Sequence, residues 1–491
     1  MERSTRTSRA VVVAAALLAT LLVACGRPKG PPNVILISVD TLRADHLRCY
    51  GYDRETSPAL DRLAREGALF ENVFARSSWT LPTHASLLTG LTANVHRVQF
   101  DASRIHPEHP FLPDLFRAAG YRTRGVISGP YLDPIFGFGR GYAPGDYERV
   151  VFTGYEGAAD FHDPRLGRTV PLADQQSHRS VTSPTVADRA IDFLRKSRGE
   201  RFFLFLHFFD AHSDYIPPEA IWRKFDPDYD GRMTGDGFWF NTAFRPGMAR
   251  ADFDHIVALY DGEIFFTDSH VGRVLDALDR LDLTADTIVV VTSDHGEEFL
   301  EHGGKTHRAT LYDEVLHVPL IIRQPGRIVR GLRIAAQTRH IDVLPTVLEL
   351  AGLPVPPTAM GRRDLAPVLL GERSQDTLAS LPAVARLFWP ERSRQWVSVR
   401  TPELKYILRG GRSEELYDLR ADPGEQHPID DPGALERMRS ELQRIDVRSE
   451  EFRSKLPAPS RNDFQMPASI RGELEALGYI QPASEPEPGA R

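Results

Sequence analysis

From residue 33 onward, unbroken apolar runs alternate with segments of helical period. Val34-Ile35-Leu36-Ile37 has the pattern of a strand buried on both faces of a parallel sheet. Ser57-Pro58 opens a helix by a cap and a first-turn proline, Leu60, Leu63 and Ala64 give it an apolar face, and Gly67 closes it before a strand at Ala68–Phe74. The alternation continues with a helix at Leu112–Ala119, a strand at Tyr121–Ser128, a helix at Pro184–Lys196, a strand at Phe202–Phe209, a long helix at Ala249–Leu281, and strands at Thr287–Thr292 and Val318–Ile322. This order predicts an α/β sandwich with a mostly parallel central sheet. Beyond Gly352 the pattern shifts to strands at Gln395–Arg400, Leu404–Arg409 and Glu415–Leu419 and a helix at Pro432–Ile445. The chain therefore divides into a main domain, 33–370, a smaller C-terminal α+β subdomain, 371–480, and a Pro/Glu-rich tail, 481–491, expected to be disordered. Asp214–Pro246 lacks any sustained period and reads as a surface excursion near a strand end.

The 491 residues are 41% apolar and 26% charged, which excludes a disordered or collagen-like chain. A net charge of −7 without a long basic run argues against nucleic acid as a partner. The first nine residues carry three arginines, and Ala10–Ala24 is apolar apart from Thr20, so 1–24 reads as a signal peptide. Leu22-Val23-Ala24-Cys25 resembles the lipobox of bacterial lipoproteins, which implies cleavage before Cys25 and a lipid anchor on its sulfur; the alternative is a plain secretory signal. Gly26 after that cysteine resembles lipoproteins that move on to the outer membrane, so the expected place is the cell envelope, on the periplasmic face or the outer membrane. Residues 25–32 then form a lipidated cysteine and short linker, and loss of 1–24 takes the net charge to −9. Cys25 and Cys49 are the only cysteines, so a lipidated Cys25 leaves no intramolecular disulfide, and Cys49 reads as a small core residue.

In parallel α/β folds ligands bind at the carboxyl ends of strands. Asp40 follows the first apolar run and Asp294-His295 follows Ile288–Thr292, which together offer oxygen and imidazole ligands to one divalent cation. Taken alone, Asp294-His295 is also compatible with an ordinary capped loop. In Ser78-Trp79-Thr80-Leu81-Pro82-Thr83-His84, Pro82 and the later Gly90 place Thr80 at the mouth of a short helix, where free N–H groups and the dipole favour an oxyanion. The plainer reading makes Thr80 an N-cap.

This segment resembles the sulfatase signature, Cys/Ser-x-Pro-Ser-Arg followed by a helix ending Leu-Thr-Gly. Further stretches resemble the same family in the same order: Val39–Gly51, Phe205–His212 with Tyr215 and Pro217-Pro218, Ser293–Glu298 through Lys305, His307, Tyr312-Asp313-Glu314 and Val318-Pro319, then Asp342–Thr346 and Glu415–Leu419 with Asp422-Pro423. Leu474–Ile480 adds a possible echo. The chain is thus identified as a member of the sulfatase-like group of the alkaline phosphatase superfamily, which implies its fold and hydrolysis of sulfate or phosphate esters. The resemblance implies a metal site at Asp40, Thr41, Asp294 and His295. It also implies catalytic roles for Thr80 as nucleophile, His212 at the leaving group or transferred group, and Lys305, His307 and His84 at the equatorial oxygens.

The departures are chemical. Thr80 stands where a sulfatase has the cysteine or serine that becomes formylglycine; its Cβ methyl closes that route, so no formylglycine is expected. His84 replaces the signature arginine. Thr41 stands for a second aspartate and His295 for the asparagine of calcium sulfatases, and these two changes favour Zn or Mn over Ca or Mg. The family's Gly-Lys-Trp-His segment has no counterpart in Val126–Pro130. These changes resemble superfamily members with a threonine nucleophile, such as nucleotide phosphodiesterases and lipid-headgroup phosphotransferases. Two other readings stay open, transfer to a lipid or glycan acceptor, and an inactive fold that binds sulfated or phosphorylated glycans. Specificity is expected to lie in Asp214–Pro246 and Gly154–Ser183.

Overall fold

The computed structural model describes residues 30–150, 161–163, 168–170, 182–389, 394–456 and 466–480. The expected signal peptide, Cys25, the tail and most of Gly154–Ser183 lie outside the described residues. Among the described residues, eight segments form one sheet: β1 (Asn33–Val39), β2 (Ala68–Phe70), β3 (Arg122–Ile127), β4 (Tyr147–Arg149), β5 (Phe202–Phe208), β6 (Thr287–Ser293), β7 (Leu320–Arg323) and β8 (Leu332–Ile334). Their spatial order is β8-β2-β7-β6-β1-β5-β3-β4, and only β7 runs against its neighbours. Every residue of β1, β5 and β6 is buried, as their continuous apolar runs require when both sheet faces are covered. One face packs against α1 (Pro58–Glu66), α3 (Ser183–Lys196) and the 31-residue α4 (Arg250–Arg280); the other carries α2 (Thr80–Thr89).

The expected strand Ala68–Phe74 is interrupted. The Glu71 amide turns to the Ile334 carbonyl and Asn72 to that of Ala335, after which Val73–Phe74 pairs with Thr338–Arg339. Two polar residues inside an apolar run here mark a change of sheet.

The smaller C-terminal sheet is an antiparallel meander of β9 (Ala383–Trp389), β10 (Arg394–Arg400), β11 (Leu404–Arg409) and β12 (Ser413–Asp418). The first of these strands was not read from the sequence. Helix α5 (Pro432–Arg453) continues eight residues past the expected end at Ile445 and buries Ala434 and Met438 on this sheet. Buried Lys405 ties the sheet to the main domain, donating to Asp313 at 2.7 Å and pairing with Glu425 at 2.7 Å. A last helix, α6 (Ala468–Ala476), leaves the small sheet and buries Ile470, Leu474, Leu477 and Tyr479 in the core of the main domain.

Candidate active site

Sheet register builds the centre of the site. Ser38 pairs with His207 on one side and Thr292 on the other, and Val39 pairs with Phe208 and Ser293. The next residue of β1, Asp40, therefore emerges beside Asp294, and its amide donates to the Phe208 carbonyl at 2.8 Å. The turn after it is held by its neighbours. Thr41 is left-handed (φ 52°), its amide faces Asp294 Oδ1 at 3.3 Å, Leu42 N–H donates to Ser293 Oγ at 2.9 Å, and the Tyr260 hydroxyl donates to the Thr41 carbonyl at 2.7 Å. A non-glycine residue in that region is uncommon and persists where the surroundings fix it.

Asp40, Asp294 and His295 bring one ligand atom each to within 4.8 Å of one another, all fully buried. His295 Nδ1 lies 2.9 Å from the Gly296 carbonyl oxygen, which can only accept, so Nδ1 carries the hydrogen and the Nε2 lone pair points inward. His295 Nε2 lies 3.7 Å from Asp40 Oδ1, 3.4 Å from Asp294 Oδ2 and 3.4 Å from Thr80 Oγ. Both Asp40 oxygens and Asp294 Oδ2 lack a hydrogen-bond partner. Unpartnered buried carboxylates are costly, and burial pushes Asp40 up to about 7. Burial opposes charge on His295 as well, but Asp294 and Asp40 raise it above its ordinary value. Three carboxylate oxygens without hydrogen-bond partners and an imidazole nitrogen gathered at one place form a donor set that fits a divalent cation.

Thr80 enters from the N-terminus of α2, preceded by extended Trp79, and is 2% exposed. One turn on, His84 Nδ1 faces the Thr80 carbonyl oxygen at 3.0 Å, so that nitrogen donates and Nε2 accepts from the Ser38 hydroxyl at 3.0 Å. Burial holds His84 down to about 4, a neutral ring behind Thr80 whose nitrogens are both engaged. The structure thus gives both nitrogens of His84 to the protein beside Thr80, where the ring supports the helix start, and leaves neither for the oxyanion role expected from the sequence. The Thr41 hydroxyl is likewise directed away from the carboxylates, donating to the Ala211 carbonyl at 2.9 Å. Lys305 donates to the carbonyls of Phe238 and Asn241 at 2.7 and 2.6 Å, so its ammonium holds the excursion that follows β5.

His212 and His307 stand together, ring centroids 4.8 Å apart, and His307 is 4.5 Å from His295. His212 Nδ1 meets the Ser213 carbonyl at 2.6 Å, and His307 Nδ1 meets Glu297 Oε1 at 3.0 Å. Burial raises Glu297 to about 8; burial, then His295, drives His307 well below its usual value.

Three residues of this constellation stand in stretches that resemble the family but have no role assigned by the sequence. His207 is fully buried with neither ring nitrogen hydrogen-bonded, its Nε2 3.2 Å from Asp40 Oδ2, and it groups with His84 and Asp294 as a second possible ligand set. Its signal was present: a histidine inside the otherwise apolar Phe202–Phe208. Glu297 lies two residues past His295. Tyr479, from the end of α6, sets its hydroxyl between His212 Nε2 and His307 Nε2. A cavity of about 780 Å³ lies further out, between Tyr215–Asp236 and the His255 and Leu259 side of α4, and none of the Thr80 group lines it.

The sulfatase family model matches residues 32–353, and the model of the N-sulphoglucosamine sulphohydrolase C-terminal region matches 301–450. Among curated relatives, the N-acetylglucosamine-6-O-sulfatase of Bacteroides thetaiotaomicron is 24% identical over 87% of this chain and 88% of its own length. The steryl-sulfatase of Mus musculus is 26% identical over 92% and 87%. Two solved structures share the fold at TM-score 0.67. One is a complex with its substrate D-glucosamine-2-N,6-O-disulfate (21% identity, 88% of this chain and 100% of that one), the other the phosphonate monoester hydrolase of Agrobacterium radiobacter (24%, 85% and 96%). The family generally uses a divalent metal, and the buried Asp/His group is a possible site for one. With its family match running through every strand of the central sheet, the chain belongs to the sulfatase family of the alkaline phosphatase superfamily and is an enzyme of sulfate or phosphate ester hydrolysis.

Proposed function

We propose that this protein is a metal-dependent hydrolase of sulfate or phosphate esters in which Thr80 itself, unmodified, is the nucleophile. The observation that carries the reading is the convergence of Thr80 Oγ with the inward lone pair of His295 and the unpartnered oxygens of Asp40 and Asp294. A divalent cation held by Asp40, Asp294 and His295, Zn²⁺ or Mn²⁺ on this mixed donor set, would lower the pKa of the Thr80 hydroxyl and offset charge on the ester oxygens. Thr80 Oγ then bonds to sulfur or phosphorus as the bond to the leaving alcohol breaks, and water resolves the adduct. Thr80 is also the first residue of α2, whose N-terminus carries no side-chain cap and favours negative charge beside it. His212 serves the leaving oxygen and His307 the transferred group. Lys305 acts at one remove, by fixing Phe238–Asn241 over His307, where Trp239 lies 5.4 Å from the His307 ring.

The substrate side follows the relatives: one carries the name of an N-acetylglucosamine-6-O-sulfatase, and a second fold relative is a phosphonate monoester hydrolase, so sulfated sugars and phosphorus esters are the two classes to assay. Export as a lipoprotein anchored through Cys25, facing the cell envelope, belongs to the same proposal and rests on the N-terminal sequence. The test is turnover of nitrophenyl sulfate, phosphate monoester and phosphodiester after metal stripping and reloading with Zn²⁺, Mn²⁺, Mg²⁺ or Ca²⁺. Metal-dependent turnover that disappears in Thr80→Ala is expected. Turnover unchanged in Thr80→Ala removes Thr80 as nucleophile, and inertness toward every ester and metal removes the hydrolase reading.

A further inference from the structure

The cavity of about 780 Å³ beside α4 is walled by the excursion that follows β5, and that wall is held in shape by its own backbone. Asp214 accepts from the amides of Gly237 and Phe238, both at 2.7 Å, and Tyr215 forms an isolated antiparallel bridge with Gly235. The two stretches approach so closely there that a Cβ at Gly235 would collide with the Tyr215 carbonyl. The Tyr229 hydroxyl ties the outer part of the wall to α4, donating to Asp252 at 2.6 Å and accepting from the Met233 amide at 2.8 Å. The cavity is thus preformed, and its volume lies within the range of small-molecule sites.

Its lining is aromatic with a few polar groups. Tyr229 lies flat on His255, ring centroids 3.6 Å apart and planes 9° apart, and Trp222 meets the same imidazole edge-on at 5.1 Å. His255 is 4% exposed; its Nδ1 donates to Asp226 Oδ2 at 2.8 Å, and its Nε2 has no hydrogen-bond partner among the described residues. A wholly apolar ligand would leave that nitrogen and the Thr234 wall unpaired. An anionic ligand is disfavoured as well. Arg223 is the only arginine or lysine among the lining residues, and its guanidinium, 4.5 Å over the Trp222 ring, is taken by Glu219 at 2.7 Å. Three carboxylates stand at the lining: Asp226 on His255, Asp252 on Tyr229, and Asp236 in the wall itself. Flat aromatic faces, scattered hydrogen-bonding groups and no free cation suit a neutral ring with apolar C–H faces and a rim of hydroxyls. We propose that this cavity is a binding site for a neutral sugar ring, set against Trp222, Tyr229 and His255 with one ring hydroxyl at His255 Nε2. None of the Thr80 group lines it, and the assignment does not rest on the ester chemistry proposed there.

Titration calorimetry of the full-length protein with the methyl glycosides of glucose, galactose and N-acetylglucosamine tests this, with cyclohexanol and methyl glucuronide as the apolar and the charged ring. At least one neutral glycoside is expected to bind with Kd on the order of 0.1 to 10 mM. Trp222→Ala should weaken that binding about 10-fold or more. His255→Phe, which keeps a flat ring on Tyr229 and removes the nitrogen, should weaken it about 3- to 10-fold. In wild-type protein labelled with ¹³C at the methionine methyls, the same glycoside should shift the resonance of Met233, a lining residue, assigned through Met233→Leu. This reading stands even where a variant fails to fold. No saturation by any of the three glycosides up to about 50 mM overturns the proposal. So does tighter binding of cyclohexanol or methyl glucuronide than of every neutral glycoside, binding that leaves Met233 unmoved, or folded variants that bind as well as the wild type.

Discussion

At the scale of single residues, the site depends on which nitrogen of each imidazole carries the hydrogen. His295 and His84 each present Nδ1 to a backbone carbonyl, yet the result differs: His295 aims a lone pair at Asp40 and Asp294, while His84 gives its second nitrogen to Ser38. The first is placed to bind a cation; the second steadies the turn that carries Thr80. Thr80→Ala should lower turnover by roughly 10³-fold or more while metal affinity changes by less than about tenfold, because the other donors remain. Thr80→Ser, which keeps the hydroxyl, should retain measurable turnover. His207 gives a second prediction. Burial holds it down to about 4, a neutral ring against Asp40, and His207→Asn should weaken metal binding about 10- to 100-fold in a chelator competition, as loss of a supporting partner does elsewhere. Unchanged affinity would assign His207 to packing alone. The ligand pair at residues 294 and 295 was legible in sequence because it follows an apolar run directly. His84 was legible as a departure from the signature, but its direction was not, since helix phase and the Ser38 hydroxyl decide it.

At the scale of elements, the ends of β6, β1 and β5 were readable from three apolar runs, and their adjacency is what gathers Asp294, Asp40 and His212. Tyr479 was not readable as part of the site. It follows a nine-residue helix with a weak apolar pattern, and only long-range packing of Leu474 and Leu477 brings it home. The break between Phe70 and Val73 was hidden for a related reason, since the hydrogen bonds that split the strand come from residues 334 and 335. Helix packing on the opposite face carries its own test. Asp268 of α4 accepts from the amides of Ala59 and Leu60 at 2.8 and 2.9 Å, capping the start of α1, and burial raises it from 3.8 to about 7. The folded state therefore holds this proton more tightly than the unfolded chain. Stability contributed by it is present at low pH and is lost as pH rises from about 4 through about 7. Relative to Asp268→Asn, the wild type should lose stability across that window, by at most about 1.4 kcal/mol per pH unit. Urea melts at several pH values would show it, and a constant difference would contradict it.

At the scale of the whole molecule, a mostly parallel sheet gathers the candidate site, an antiparallel sheet is tied to it through Lys405 and Asp313, and the final helix returns to the main core. The α/β class, the smaller C-terminal unit and the family were legible because long buried strands and ordered motifs survive in sequence. The division at 371–480 was only partly so: α6 and part of β9 belong to the main core. A cation that relieves buried carboxylates also stabilises the fold it binds. Stripping the metal should lower the thermal midpoint, readdition should restore it, and Asp294→Asn should blunt the response; a midpoint indifferent to chelation and reloading would argue against a cation at Asp40, Asp294 and His295.

The central claim is that Thr80 forms a bond to the transferred group. Single-turnover reactions with excess metal-loaded protein, quenched in acid and digested, would be read by mass spectrometry of the peptide containing Thr80. We predict that the peptide gains one sulfuryl or phosphoryl group, located on Thr80 by fragmentation and absent from Thr80→Ala. Turnover with that peptide unmodified at every quench time, or with the group on another side chain, would contradict the account.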